Sequence, residues 1–598
     1  MGRKKKVIEE VKFEPSHYQK AIYDFVQHDV GNLIVEAAAG AGKTSTLLQI
    51  LKLLPKDKKV LFCAFNKDIV KEIEKKVDKE LTNVDIRTVH SLGFLMIQRN
   101  FKDTEIVPNE NKYRQFIINN LDTISSIDVT YLKYKEKMKY IDNICELTNF
   151  ARFNLANSIK EIEKLVERYD IDIFADEIEA TLEVLKWGQE YINEIDFTDM
   201  IWLPYVLHLK PIGLLYDYIL GDECQDFSTA QRELLLRCRK INTRMFCFGD
   251  KNQAIFGFSS PDPESFDTLK SLPNTKSLPL SISYRCAKNI VRFAQNIVET
   301  IEHNEANINE GEVKYNVSLE DVQDGDMVLC RNNAPLMKIY SDFIRMGKKC
   351  KIKGKDIGTI LKRLVKSMHQ EELNVSLEND GLFIRLYDSL FEMRNKIIKQ
   401  TNLDVKTVMN DSKIVNKLDM IRALEVLSEG LNTSDELIER ISGMFSDKKI
   451  NGISLSTIHK AKGLEANNVF IACPSLMPCK SATLDWEILQ EKNLQYVAYT
   501  RAKNKLCFID ESEFKTFTDN TNDNLKSIEQ QVNLVLGKTN KLLKNEIINP
   551  TYFISRTKTF VKPTIGTSKV LGQKPISSAE TSNMNGLLMK NKKRIKRM

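Results

Sequence analysis

Gly42-Lys43-Thr44 closes a run of small residues, Ala37-Ala38-Ala39-Gly40-Ala41. Loops that hold phosphate read G-x-x-x-x-G-K-[ST]. This run fits at its end, with Ala37 in the place of the first glycine and Gly40 inside the loop. Backbone N–H groups from Ala39 to Ser45, aimed from a helix start, suit phosphate oxygens. Lys43 is expected to reach the β- and γ-phosphates, and the Thr44 hydroxyl to hold Mg²⁺. A second group of chemically useful residues lies in "YDYILGDECQDFS". There Asp222 can hold Mg²⁺ directly or through water, and Glu223 can accept a proton from the attacking water. Together the two stretches predict a nucleoside triphosphate site with hydrolytic chemistry and Mg²⁺ as its metal.

These residues need strands and helices to hold them. The lead-in Asn32-Leu33-Ile34-Val35 is a short apolar run that suits a buried parallel strand, and the stretch after Lys43 opens a helix. Strand-then-helix patterns recur through the first 95 residues. From about 102 to 193 the pattern is helical. Strand signals return at 214–220, 245–248, 327–330, 452–456 and 469–473, and 356–449 reads as helical again. The expected architecture is α/β, with two cores each interrupted by a mostly helical insertion. After about 517 the pattern weakens, and "TIGTSKVLGQKPISSAETSNMNG" has the composition of a disordered segment.

With 598 residues and 42% apolar content, the chain is expected to be a multidomain globular protein. No apolar run approaches the ~18 residues of a membrane span. The start Met-Gly-Arg-Lys-Lys-Lys lacks the apolar region of a secretory signal, and Lys6 stands at the Ser/Thr place of the myristoylation pattern. The 11 cysteines are scattered without C-x-x-C and read as reduced core residues of a cytoplasmic protein. The net charge of +7 is uneven: residues 541–598 carry 13 Lys/Arg against 2 Asp/Glu, so the rest of the chain is slightly acidic.

The acidic stretch and the phosphate loop belong to a longer series. In order, it comprises "HYQKAIYDFV", "LFCAFNKD", "IRTVHSLGF", "DFTDMI", "DECQD", "FGDKNQAIFGF", "LSISYRC", "STIHKAKGLEANNVFIA" and "NLQYVAYTRAKNKL". The series resembles the superfamily 1 DNA helicases of the UvrD/Rep/PcrA type. It is closest in wording to the F-box DNA helicase branch and its phage-encoded relatives. The resemblance spans roughly residues 13 to 510. It implies two RecA-like P-loop domains with ATP between them: 1A over 1–94 and 196–284, and 2A over 285–355 and 450–516. The helical insertions are then 95–195 (1B) and 356–449 (2B), followed by a basic, low-complexity tail over 517–598.

By the same resemblance, Gln19 reads adenine, Tyr284 stacks on the base and Glu465 contacts the ribose. Arg285 and Arg501 stabilise charge on the γ-phosphate, and Gln253 senses that phosphate and links it to DNA. Phe65, Phe256 and Phe258 stand at the positions of base-stacking aromatics. Thr88, His90, Thr457 and His459 stand at those of backbone-phosphate contacts. Asn493 departs from the arginine that many relatives carry. The implied activity is ATP-dependent helicase or translocase action, 3′→5′ on single-stranded DNA and on tailed or forked duplexes. Two alternatives stay open: a translocase that strips recombinase or other proteins from DNA, and a DNA-stimulated ATPase acting as a recruitment module. The tail is expected to bind nucleic acid, or replication or recombination proteins.

Overall fold

The computed structural model describes residues 14–537, apart from 65, 133, 170, 172, 174, 175, 257–264, 402, 446–451 and 515–521. Two six-stranded parallel sheets organise it. The first consists of β1 (Asn32–Ala37), β2 (Val60–Ala64), β3 (Val84–Thr88), β4 (Tyr216–Gly221), β5 (Arg239–Gly249) and β6 (Thr275–Leu280), in the order β3-β2-β4-β5-β1-β6. The second consists of β7 (Glu312–Val317), β8 (Met327–Cys330), β9 (Cys350–Ile352), β10 (Ile453–Thr457), β11 (Ala466–Ala472) and β12 (Ala502–Ile509), in the order β7-β12-β11-β8-β10-β9. The expected α/β class is therefore the observed one.

The strand sequences explain the sheets. In β1, Leu33 and Val35 point to one apolar cluster and Ile34 to another, and all three are buried. A strand covered on both faces by helices needs such an uninterrupted apolar run. The cluster holding Leu33, Val35 and Phe62 also holds Leu329, Val469 and Ile471 of the second sheet, so one apolar core continues from sheet to sheet. The outer strands β6, β7 and β9 carry weaker sequence signals, because Lys276, Pro279, Lys314 and Lys351 interrupt their apolar runs.

Helices fill the stretches between β3 and β4 and between β9 and β10. In the first of these stretches four charges lie inside. Lys112 Nζ meets Asp199 at 2.9 Å, and Arg152 meets Asp196 at 2.7 Å and Asp199 at 2.9 Å. The Tyr113 hydroxyl donates to Asp199 at 2.5 Å. Buried ions persist only when paired and hydrogen-bonded, and here both conditions hold. This is the place of Asp196 and Asp199 in "DFTDMI": they pin the helical stretch to the first sheet's side of the molecule.

One expectation needs correcting. The stretch taken as low-complexity tail from 517 contains a helix, Asn522–Val535. It packs on the Leu382–Thr401 helix, burying Leu525 and Val532, and Glu529 pairs with Arg394 at 2.6 Å. Apolar residues at 525, 528, 532 and 535 make one helical face, a short signal masked by the polar composition that follows. The rest of the tail, from 538, lies outside the described residues.

Candidate nucleotide and nucleic-acid site

The site is built at the carboxyl ends of the first sheet's strands. Ala37 is the last residue of β1, still extended, so the absent first glycine is not needed there. The turn itself is made by Gly40 (φ +72°) and Gly42 (φ +80°). At Gly40 a side chain would also collide: its Cβ would lie 2.5 Å from Arg285 Cβ and 2.9 Å from Ser283 Oγ. The loop is held from outside as well. Tyr284 N donates to Gly40 O at 2.9 Å, and Ala39 N donates to the Tyr496 hydroxyl at 2.9 Å. The Lys43–Leu53 helix follows directly, placing Lys43, Thr44 and Ser45 in its first turn.

β4 delivers the acids. Thr44 Oγ1 donates to Asp222 Oδ2 at 3.3 Å, and Lys43 Nζ stands 3.3 Å from Glu223 Oε1. Glu223 adopts the left-handed conformation (φ +55°), unusual for a residue with a side chain, and this turns its carboxylate toward Lys43. Burial, then the charge of Glu223, pushes the Asp222 carboxyl up to about 7. Burial also works against the Glu223 charge, but Lys43 and Lys462 outweigh it and hold that carboxyl down at about 2. A deprotonated Glu223 is the form a proton acceptor requires. Thr44 and Asp222 offer two hard oxygen donors side by side, and a divalent cation would relieve the burial penalty on the adjoining carboxylates. The donor set thus fits Mg²⁺, which binds few protein oxygens and keeps water and phosphate ligands.

The second sheet reaches into this site with cations. Arg501, 1% exposed, follows the Asp485–Tyr499 helix and opens toward β12. Its Nη2 donates to Gln253 Oε1 at 3.1 Å, and Gln253 Nε2 donates to Asp250 at 2.7 Å. Burial, then Arg285 nearby, lowers the Arg501 guanidinium to about 9. Arg285 pairs with Glu465 at 2.7 Å and donates to Thr500 O. Lys503 holds the other oxygen of Glu465 at 2.5 Å. Lys462 crosses to the first sheet's side, meeting Asp226 at 2.5 Å and Gln253 O at 2.6 Å.

Most of the residues singled out from sequence therefore gather here. Lys43, Thr44, Asp222 and Glu223 form one cluster, and Gln253 and Arg501 form a hydrogen-bonded pair beside it. Arg285 and Tyr284 lie against the loop's back. Gln19 is fully buried beneath the loop, with its amide engaged: Nε2 donates to Thr46 Oγ1 at 3.0 Å, and Oε1 accepts from Ser16 N.

Two of the nucleic-acid candidates, Thr88 and Thr457, end strands, one in each sheet. Thr88 ends β3, and its hydroxyl caps the next helix by accepting from Ser91 N at 3.1 Å. Thr457 ends β10, and His459 opens the turn after it. Burial lowers His459 to about 3 and His90 to about 4, so both are neutral at pH 7. The His90 ring stacks on Phe197 at 3.8 Å, and Phe197 is 45% exposed. Phe256 is half-buried, with Lys462 Nζ 5.0 Å from its ring. Phe65 and Phe258 lie outside the described residues.

Sequence reasoning did not assign Tyr496, Lys462, Asp226 or Phe197 to the site. Each sits inside a stretch already quoted for the resemblance, but its partner is more than a hundred residues away, which no local pattern displays. Asn493 does reach the first sheet's side, donating to Lys251 O and Ala254 O at 3.2 and 3.0 Å.

The family model for the UvrD/REP helicase N-terminal domain matches residues 19–274, and that for the UvrD-like helicase C-terminal domain matches 383–513. Together they cover more than half of the chain. The chain is 25% identical to F-box DNA helicase protein 1 of Schizosaccharomyces pombe, over 80% of this chain and 55% of that protein. It is 27% identical to a probable DNA helicase II homolog of Mycoplasma pneumoniae, over 45% and 40%. With the ATP-dependent DNA helicase PcrA of Staphylococcus epidermidis it shares 24%, over 80% and 81%. The chain spans about half the length of the first two relatives.

Proposed function

The chain belongs to the UvrD-type superfamily 1 helicases, and on that premise we propose that it is an ATP-dependent DNA helicase moving 3′→5′ on single-stranded DNA. One observation carries the mechanism: Arg501, from the second sheet, bonds Gln253 of the first within the cluster that holds Lys43 and Glu223. A phosphate-binding loop on one core, with buried arginine delivered from the other, makes hydrolysis depend on how the cores meet.

In this reading the two sheets are RecA-like motor cores. The loop amides and Lys43 orient the phosphates, and Glu223 accepts the proton of the attacking water. Arg501 and Arg285 stabilise charge that builds up on the transferring group, a role typically worth ~10³–10⁵ in rate. Mg²⁺ held by Thr44 and Asp222 supplies charge neutralisation at the phosphates. Asp250, Gln253, Arg501 and Lys462 form a continuous polar path from this cluster to Phe256, one of the residues that this reading assigns to DNA. A change at the phosphates thereby moves groups that touch DNA. Polarity follows from family likeness, and the basic tail favours a DNA- or partner-tethering role.

The experiment is an unwinding assay on 3′-tailed, 5′-tailed and forked duplexes, with Lys43→Ala as control. DNA-stimulated ATP hydrolysis and opening of 3′-tailed duplex, both lost in Lys43→Ala, are the expected result. Hydrolysis and filament removal without strand separation would instead favour a translocase that strips proteins from DNA. Near wild-type hydrolysis by folded Lys43→Ala refutes the site.

A further inference from the structure

The amino ends of the first sheet's strands form a surface that the motor chemistry does not use. The loop Lys210-Pro211-Ile212-Gly213-Leu214-Leu215 leads into β4 there, beside the start of β2 and the 239–243 segment that opens β5. The loop is pinned by its backbone. Asn100 Nδ2 donates to Lys210 O at 2.8 Å, Arg99 Nη1 donates to Ile212 O at 2.7 Å, and Lys59 Nζ donates to Gly213 O. Leu214 is the buried anchor, while Ile212 and Leu215 stay 45% and 40% exposed. Next to them Ile241 is fully exposed, on a segment tied to β4 by Thr243 Oγ1 donating to Tyr216 O at 2.6 Å. Three aliphatic side chains are thus held out to water on a rigid ledge, and such exposed apolar groups with polar surroundings mark interaction surfaces.

The charge around the ledge has one sign in excess. Two carboxylates lie here, and both are engaged: Asp85 holds Arg87 at 2.8 Å, and Asp217 holds Lys240 at 2.7 Å and accepts from Lys59 N at 2.9 Å. Among the described residues, Lys59, Arg99 and Lys210 have no carboxylate within ion-pair distance. Burial, with Arg99, Lys240 and Arg87 acting against the pull of Asp85, lowers the Lys59 ammonium from its ordinary value. An anion arriving at this place would relieve that crowding.

The chemistry selects the occupant. The basic tail, with 13 Lys/Arg against 2 Asp/Glu over residues 541–598, carries the same sign and is repelled. Single-stranded nucleic acid wants aromatic faces for its bases, whereas the ring here, Tyr216, is fully buried beneath Lys59 Nζ at 4.5 Å. Aliphatic side chains ringed by unpaired cations suit a segment that mixes carboxylates with apolar side chains. We infer that the ledge formed by residues 210–215 and Ile241, with Lys59, Arg99 and Lys210, is a docking site for an acidic, apolar peptide segment of a partner protein. β4 runs from this edge to Asp222, about 20 Å away at ~3.3 Å per residue. A partner seated here leaves the nucleotide site open, so it recruits the motor without blocking it. This inference stands apart from the helicase reading.

The test uses full-length protein and a short fluorescent peptide of alternating Asp and Leu that carries a photo-crosslinking group. Anisotropy is expected to show binding at ~100 μM or tighter, with cross-links at 210–215 and 239–243. Replacing Asp by Asn, or Leu by Ser, in the peptide should each weaken binding about tenfold or more. Ile241→Asp and Lys210→Glu change exposed side chains and should each weaken it about tenfold as well, while DNA-stimulated ATP hydrolysis stays within about twofold. No binding, cross-links confined to the tail, or wild-type affinity in both variants overturns the proposal. So does equal binding of the Leu→Ser peptide, or displacement of the peptide from the ledge by oligothymidylate, which would make the surface a nucleic-acid site. A concentration-dependent dimer in sedimentation, lost in Ile241→Asp, would assign the ledge to a second copy of the chain and overturn it too. Should one variant fail to fold, the other decides.

Discussion

Glu223→Gln should move two quantities in opposite directions. In the structure, Lys43 is held by Glu223 at 3.3 Å, with side chains 10% and 22% exposed. At that distance and an effective dielectric of about 20, the gross attraction is about 5 kcal/mol. Phosphate must draw Lys43 away from this partner before it gains the charge, so part of the attraction opposes binding. The net worth of a hydrogen bond to a charged group is ~1.5–3 kcal/mol, so removing the carboxylate charge should tighten ATP binding about 10- to 100-fold. Glutamine keeps the side chain's volume, so the loop should stay folded. Turnover needs Glu223 as proton acceptor, and its loss should slow the chemical step ~10²–10⁴-fold. The assays are a fluorescent-ATP titration for affinity and single-turnover hydrolysis with saturating DNA for rate. Weaker binding together with slower turnover would mean that Glu223 organises the loop rather than restraining Lys43. Unchanged turnover would remove it from the chemistry.

Arg285→Ala and Arg501→Ala should each slow hydrolysis far more than they weaken ATP binding, as compared by the same two assays, because the charge they meet grows in the transition state. Acidification should destabilise the protein through His90. Its ring is held near 4 in the folded chain and lies near 6.5 unfolded, so the unfolded chain binds more protons between those values. Stability is then full above 6.5 and falls as pH drops toward 4, by about 2 kcal/mol at pH 5 from this residue. Denaturant melts at pH 7 and 5 should show a smaller difference in His90→Asn. Truncation after 521 should cost about 3–5 kcal/mol in the unfolding of the second core, since it exposes the seat of Leu525 and Val532 and strands Arg394. Deletion after 549 should leave hydrolysis at saturating DNA unchanged but flatten the salt dependence of single-strand binding by ~0.7 per lost phosphate contact.

How much of this was legible in sequence depended on distance along the chain. The strand–loop–helix around Lys43 and the strand leading to Asp222 are local patterns, and they stand where the apolar runs put them. The edge strands β7 and β9 were not legible, because lysines break their apolar runs. The Asn522–Val535 helix was hidden by the composition after it. Contacts such as Ala39 with Tyr496, or Trp486 with Arg168, join segments hundreds of residues apart, and nothing in either segment names the other. The capping role of Thr88 shows the reverse limit. A threonine before Val89-His90-Ser91 is a local helix-start signal, yet its motif position drew attention to DNA instead.

The strand order β3-β2-β4-β5-β1-β6 has a consequence during synthesis. β1 pairs with β5 and β6 and with neither of its sequence neighbours β2 and β3. Until residues 239–280 leave the ribosome, Leu33-Ile34-Val35 has no strand on either side. At ~5–20 residues per second, that wait lasts roughly 10–50 s. Throughout it the strand carrying the phosphate loop is an exposed apolar segment, open to chaperones and to aggregation. A stall or truncation inside the first helical insertion would release a chain whose nucleotide loop has no sheet to stand on.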